Sequence, residues 1–156
     1  LRSRGLGDVY KRQILDMAGN VGTQSLAVTI RVLMDETLTG RQKLELVCKE
    51  GRIGLLNGLI LGAASCGVVG LYIMLFKAKT AAFAFGISGC IGVALLLAMA
   101  VSSIVGTCVP LLFKKLGVDP AVASGPLITT LNDLTAVVAY YGLAWLLLIN
   151  TFGFGA

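Results

Sequence analysis

The sequence contains no histidine, only three prolines and one tryptophan in 156 residues, and only 13% of its residues are charged. Soluble domains carry about 25% charged residues, so a water-soluble globular fold is excluded at the outset. The four cysteines, Cys48, Cys66, Cys90 and Cys108, stand 18, 24 and 18 residues apart, without the close pairs that a zinc or redox site needs. Cys66, Cys90 and Cys108 lie in apolar runs, where a thiol behaves as a small hydrophobe. Thirteen Lys and Arg against eight Asp and Glu give +5, but these charges cluster in the N-terminal third and in short islands, which does not describe a nucleic-acid binder. No nucleophile, base and orienting group occur together, so the reading is of a protein that is not an enzyme and carries no cofactor.

What is present is apolar: 56% of residues are hydrophobic and the mean hydropathy is +0.88. The expected fold is an all-α, polytopic helical bundle in lipid with four membrane segments. A bilayer core about 30 Å thick takes about 20 helical residues to cross. Residues 53–76 are uncharged over 24 positions and make the cleanest span. Residues 81–113 are uncharged over 33, too many for one untilted crossing and too few for two, so one long or broken helix is expected, kinked or ended near Pro110. A third span covers about 120–149, where Asp133 is the only charge, and a shorter fourth covers about 14–33, interrupted by Asp16, Asn20, Thr23 and Gln24. Residues 35–52, with interspersed charges and Leu44, Val47 and Cys48 at helical spacing, read as an amphipathic helix on the membrane surface or a solvated loop helix.

Orientation follows from basic residues. Arg31, Arg41, Lys43, Lys49, Arg52, Lys114 and Lys115 put seven on one side, against Lys77 and Lys79 on the other. The 35–52 and 114–119 connections are therefore expected in the cytoplasm, with the protein multi-pass in the cell's inner (plasma) membrane. Arg2, Arg4, Lys11 and Arg12 contradict this count. Residues 1–13 lack apolar periodicity and a signal-peptide core, and composition changes abruptly at Ile14, so they read as a foreign or disordered start to a transport domain at 14–156. A genuine basic arm is the alternative.

Small residues recur every fourth position at Gly54, Gly58, Gly62, Cys66 and Gly70, a stripe expected to meet a neighbouring helix closely. The last span carries the chemistry. Ala121, Gly125, Thr129 and Asp133 are spaced by four and share one helix face. A carboxylate in a membrane helix costs about 2.5–3.5 kcal/mol on insertion scales and normally faces a cavity or a bundle interior. With no cationic partner within reach in sequence, a dissolved cation is its natural counter-charge; an Asp satisfied by Asn132, Thr135 or a neighbouring hydroxyl is the packing alternative. Asn132 points about 100° away, and its replacement is expected to matter much less. In residues 18–25, AGNVGTQS, Gly19 and Gly22 permit close backbone approach while Asn20, Thr23 and Gln24 supply neutral oxygens, for a pore lining or an interhelical hydrogen-bond cluster.

Residues 18–31, AGNVGTQSLAVTIR, and 119–144, DPAVASGPLITTLNDLTAVVAYYGLA, resemble two motifs of the MgtE-type magnesium transporter family, in the family's order and about 90 residues apart. The resemblance extends from Ile14 to about Ala144. It implies a homodimeric magnesium channel or transporter of five helices per chain, whose last helix lends an acidic residue to a central pore. On that basis Asp133 is the metal position, with Thr129 and Gly125 facing the pore; some members have asparagine where this chain has Gly125. Asp119 falls at the cytoplasmic mouth, and Asn20, Gly22, Gln24 and Asn132 line the pore or pack helices. Bound and transported Mg²⁺, membrane lipid and a second copy of the chain are the implied partners. The family's first membrane helix and cytoplasmic regulatory domains have no counterpart in these residues. A proton- or sodium-coupled transporter of another solute and a non-transporting assembly subunit remain as alternative functions.

Overall fold

The computed structural model describes residues 2–35, 38–77 and 80–152. Residue 1 of the expected foreign start, residues 36–37 of the expected surface helix and residues 153–156 of the expected transport domain lie outside the described residues. Within them the chain forms four helices and no strand: α1 (Arg2–Asp35), α2 (Gly40–Lys77), α3 (Ala81–Lys115) and α4 (Pro120–Phe152). The molecule is an all-α membrane bundle. α2 and α3 are both long and apolar enough to cross a membrane.

Helix α3 is the hub. It packs against α2, α1 and α4, whereas α1 and α2 barely meet. Ser102 donates to the Ala18 carbonyl and Lys114 to that of Leu33, so α1 and α3 run parallel. α2 is antiparallel to α3: Gly54 backs onto Ser103, Gly62 onto Gly92 and Gly70 onto Ser88. The expected small-residue stripe is thus a helix-packing face. A methyl group at Gly62 would lie 2.7 Å from the Gly92 carbonyl oxygen, and one at Gly92 would lie 2.8 Å from that of Gly62. The core is correspondingly small and apolar, with Ile14, Ala18, Val21, Ile91, Ala94, Leu95, Ala98, Met99 and Ala136 buried together. Leu55, Leu56, Leu59, Ile60, Val68 and Phe76 cover the outside of α2, as expected where lipid replaces water.

The helices are longer than the apolar runs. The expected surface helix and the 53–76 span are one unbroken α2 of 38 residues, about 57 Å at 1.5 Å per residue. α1 likewise starts at Arg2, with no break at Ile14. Hydrophobicity changes at both places, but neither stretch holds a proline, and Lys, Arg, Leu and Glu are good helix formers, so backbone hydrogen bonding runs on. α3 also continues through Pro110 to Lys115 instead of ending there. Pro110 is buried, and the carbonyl it leaves without an N–H partner belongs to Gly106, which abuts Gly22 of α1, so the defect lies inside protein and not in lipid.

The α3–α4 turn is closed by its own chemistry. Gly117 adopts φ 75°, which a residue without Cβ tolerates, while Val118 N–H donates to Phe113 O at 3.0 Å and Gly117 N–H to Lys114 O at 3.3 Å. Asp119 then caps α4: its Oδ1 accepts the Ala121 N–H at 2.9 Å, with Pro120 as the first helical residue. Asp119→Ala is expected to cost about 0.5–2 kcal/mol, read as a lower melting temperature in detergent, whereas Asp119→Asn, which keeps a capping oxygen, should retain most of the stability.

Candidate functional site

The site builds from α4. Its buried face is Ile128, Asn132 and Ala136, one residue per turn, turned toward α1 and α3. Leu134, Thr135 and Val138 on one flank line a groove with Leu97 and Val101 of α3. Thr129 and Asp133 occupy the other flank and are exposed, with Gly125 half-buried one turn earlier. The expected ladder therefore exists, and it faces away from the chain's own core.

The hydroxyl protons on this face are already committed. Thr129 Oγ1 donates to Gly125 O at 3.2 Å, and Thr130 Oγ1 to Pro126 O at 3.0 Å. The Thr129 oxygen is left with acceptor lone pairs, the capacity a cation or its water shell uses. Among the described residues Asp133 makes no ion pair; the salt bridge present is the exposed Arg41–Glu45 pair on α2. The described residues include no cluster of three or more Asp, Glu, His or Cys able to hold a metal. One chain contributes a single carboxylate here.

The AGNVGTQS segment divides in two. Gly22 is buried against Gly106 of α3 and Asn132 of α4, where any side chain would collide with the Asn132 amide and the Ser102 hydroxyl. Gly22 thus lies at a helix contact, and Asn132 is wholly buried. Asn20, Thr23 and Gln24 are exposed, and Thr23 Oγ1 donates to the Gly19 and Asn20 carbonyls at 3.0 and 2.9 Å. Because Gly22 backs onto Asn132, the outward polar groups of α1 lie at about the depth of Asp133. Asp119 sits at the end of the bundle, its carboxylate engaged in the α4 cap.

A hydroxyl seam escaped the sequence reading. Ser25 and Ser103 pair at 2.9 Å, Ser103 donates to Glu50 O at 2.5 Å and Ser102 to Ala18 O at 2.5 Å, so α1, α2 and α3 are stitched at one level. Ser103 has one proton and gives it to Glu50, so Ser25 is the donor in the serine pair. Thr29 and Thr107 bond back to Ser25 O and Ser103 O. Glu50, read as part of a surface stretch, is only 4% exposed beside this seam. The signal available was the Ser102-Ser103 pair inside an apolar run.

Residues 13–143 match the MgtE family, described as a divalent cation transporter. The chain belongs to the MgtE family. It is 39% identical over 136 residues to the magnesium transporter MgtE of Enterococcus faecalis, covering 87% of this chain and 28% of that protein. Identity to the MgtE of Bacillus subtilis is 37% over 135 residues, covering 86% and 28%, and to that of Thermus thermophilus 35% over 142 residues, covering 89% and 29%. The chain thus spans less than a third of the length of these curated relatives. The family resemblance drawn from the two motifs is confirmed, and the family is one of membrane transporters and not of enzymes.

Proposed function

We propose that this chain forms the ion pathway of a magnesium transporter, with Mg²⁺ held at Asp133 on the axis of a homodimer. The observation that carries the reading is the exposed carboxylate of Asp133, about 20 Å into an apolar helix and with no ion pair among the described residues. Left facing lipid, such a group is strongly disfavoured. A second copy of α4 across a two-fold axis removes it from lipid and brings two carboxylates to one place.

Mg²⁺ gives up its water reluctantly and keeps several ligand waters while one or two carboxylates hold it. Two Asp133 side chains would hold the hydrated ion, and the Thr129 oxygens and the backbone carbonyls one turn away would accept from its waters. Few direct ligands keep the site weak enough to release the ion, which conduction requires. Gly125 adds no side chain of its own and leaves the approach open.

Magnesium uptake into vesicles tests this with the full-length protein. Uptake that runs without a proton or sodium gradient is the expected result. Strict gradient dependence would instead make Asp133 a coupling carboxylate, and absence of flux would point to an assembly subunit.

Topology gives a separate prediction. In the inner-membrane orientation proposed from the basic residues, cysteines introduced in the 40–52 stretch should react with reagents from the cytoplasmic side, and the cysteine of Thr80→Cys from outside. The reverse pattern would overturn the orientation and the placing of Asp119 at the inner mouth.

A further inference from the structure

Asn132 is fully buried, and neither Oδ1 nor Nδ2 has a hydrogen-bond partner among the described residues. A buried amide left unpaired is destabilising, and an apolar side chain would avoid that loss. Packing alone therefore does not call for an amide at this position.

The surroundings do. Gly22 of α1 presents bare backbone to the Asn132 amide, and any Cβ there would displace Nδ2. Ser102 of α3, whose proton goes to Ala18 O, adjoins the same Gly22 position, so the amide and a hydroxyl oxygen with free lone pairs both border this notch without a hydrogen bond between them. The notch thus combines room that only glycine leaves with an acceptor suited to an N–H₂ group. One turn either way along α4, Ile128 and Ala136 are apolar, 0% and 1% exposed, and specify no rotation by hydrogen bonding. Asp133 follows Asn132 and points about 100° from it.

We propose that Asn132 is the positioning residue of the ion pathway: seated between Gly22 and Ser102, it sets the rotation of α4 about its own axis and so the direction in which Asp133 leaves the bundle. This rests on the reading of Asp133 as the ion-binding carboxylate. It also revises the expectation that Asn132 matters little, which considered only the direction of its side chain and not the junction that receives it.

The test uses the full-length transporter in vesicles, with its native cysteines replaced. The single-cysteine variants Thr129→Cys and Leu134→Cys report rotation through their rates of reaction with a water-soluble thiol reagent, because they stand on opposite flanks of α4, about 140° apart. With Asn132 in place, the thiol of Thr129→Cys, on the Asp133 ladder, should react at least about fivefold faster than that of Leu134→Cys, on the apolar flank beside Leu97 and Val101. In Asn132→Leu, which keeps the branch at Cγ and removes the amide, that contrast should fall below about twofold, and half-saturating Mg²⁺ should rise at least about fivefold while the protein remains folded. A folded Asn132→Leu transporter with the original labelling contrast and half-saturation would overturn the proposal.

If Asn132→Leu does not fold, the Gly22 side of the notch decides. Gly22→Ala should reduce the labelling contrast, and adding Asn132→Ser, which makes room and keeps a hydroxyl, should restore it; an unchanged contrast in Gly22→Ala would overturn the proposal. The labelling does not depend on ion binding. Normal flux in Asp133→Asn together with a contrast lost in Asn132→Leu would fail the ion-site reading alone and support the seating of α4 by Asn132.

Discussion

Replacing Asp133 with Asn should leave the protein inserted and dimeric while its magnesium flux falls at least about tenfold. Asn matches Asp in size, and Asp133 lies on the exposed flank of α4, so no packing contact within the chain depends on its charge. What changes is electrostatic: two negative charges leave the proposed axis, and a hydrated divalent ion loses its strongest attraction there. A tenfold fall corresponds to about 1.4 kcal/mol, well within the reach of two carboxylates in a site of reduced dielectric. Flux should be measured in vesicles with the full-length protein, and dimerisation by cross-linking of the same sample. Normal flux from a folded Asp133→Asn transporter would return Asp133 to the status of a surface residue.

Gly62→Val should be the most damaging single change outside the site. A Cβ at Gly62 would lie 2.7 Å from the carbonyl oxygen of Gly92, and that obstacle is backbone, which cannot rotate away. Helices α2 and α3 would have to separate, giving up the close approach that drives association where lipid offers no hydrophobic force. Forcing extra bulk into a packed contact costs typically about 1–3 kcal/mol, and the valine branches add to the first methyl. We expect a melting temperature in detergent lowered by many degrees and poor recovery of dispersed protein. Gly67→Val is the internal control, because a Cβ there meets nothing within 4 Å. Equal stability of the two variants would mean that α2 and α3 do not pack through the stripe.

The features readable from sequence were those written along one helix. The four-residue spacing of Gly54, Gly58, Gly62, Cys66 and Gly70 marks a face whatever it meets, and the structure supplies α3 as its partner. Asp133 stands out because charge is so scarce around it. Asn132 did not, since its meaning arises only where Gly22, Ser102 and α4 converge from positions 80 and 30 residues apart in the chain. The same holds for Glu50: in sequence it belongs to a charged stretch, and only the approach of α3 buries it. The helices outrun the apolar segments for a different reason. The changes of composition at Ile14 and Ile53 indicate what surrounds the chain, whereas α1 and α2 end where their backbone ladders end.

Protection of a thiol on the Asp133 face tests the central claim most directly. With Thr129→Cys in an otherwise cysteine-free, full-length transporter, the rate of modification by a water-soluble thiol reagent is measured with and without millimolar Mg²⁺. Thr129 precedes Asp133 by one turn on the same face, so an ion held by the carboxylates should shield the thiol placed there. Mg²⁺ is expected to slow modification several-fold when Asp133 is present and to leave the rate unchanged in the Asp133→Asn background. Equal protection in both backgrounds, or none in either, would contradict the assignment of Asp133 as the ion site.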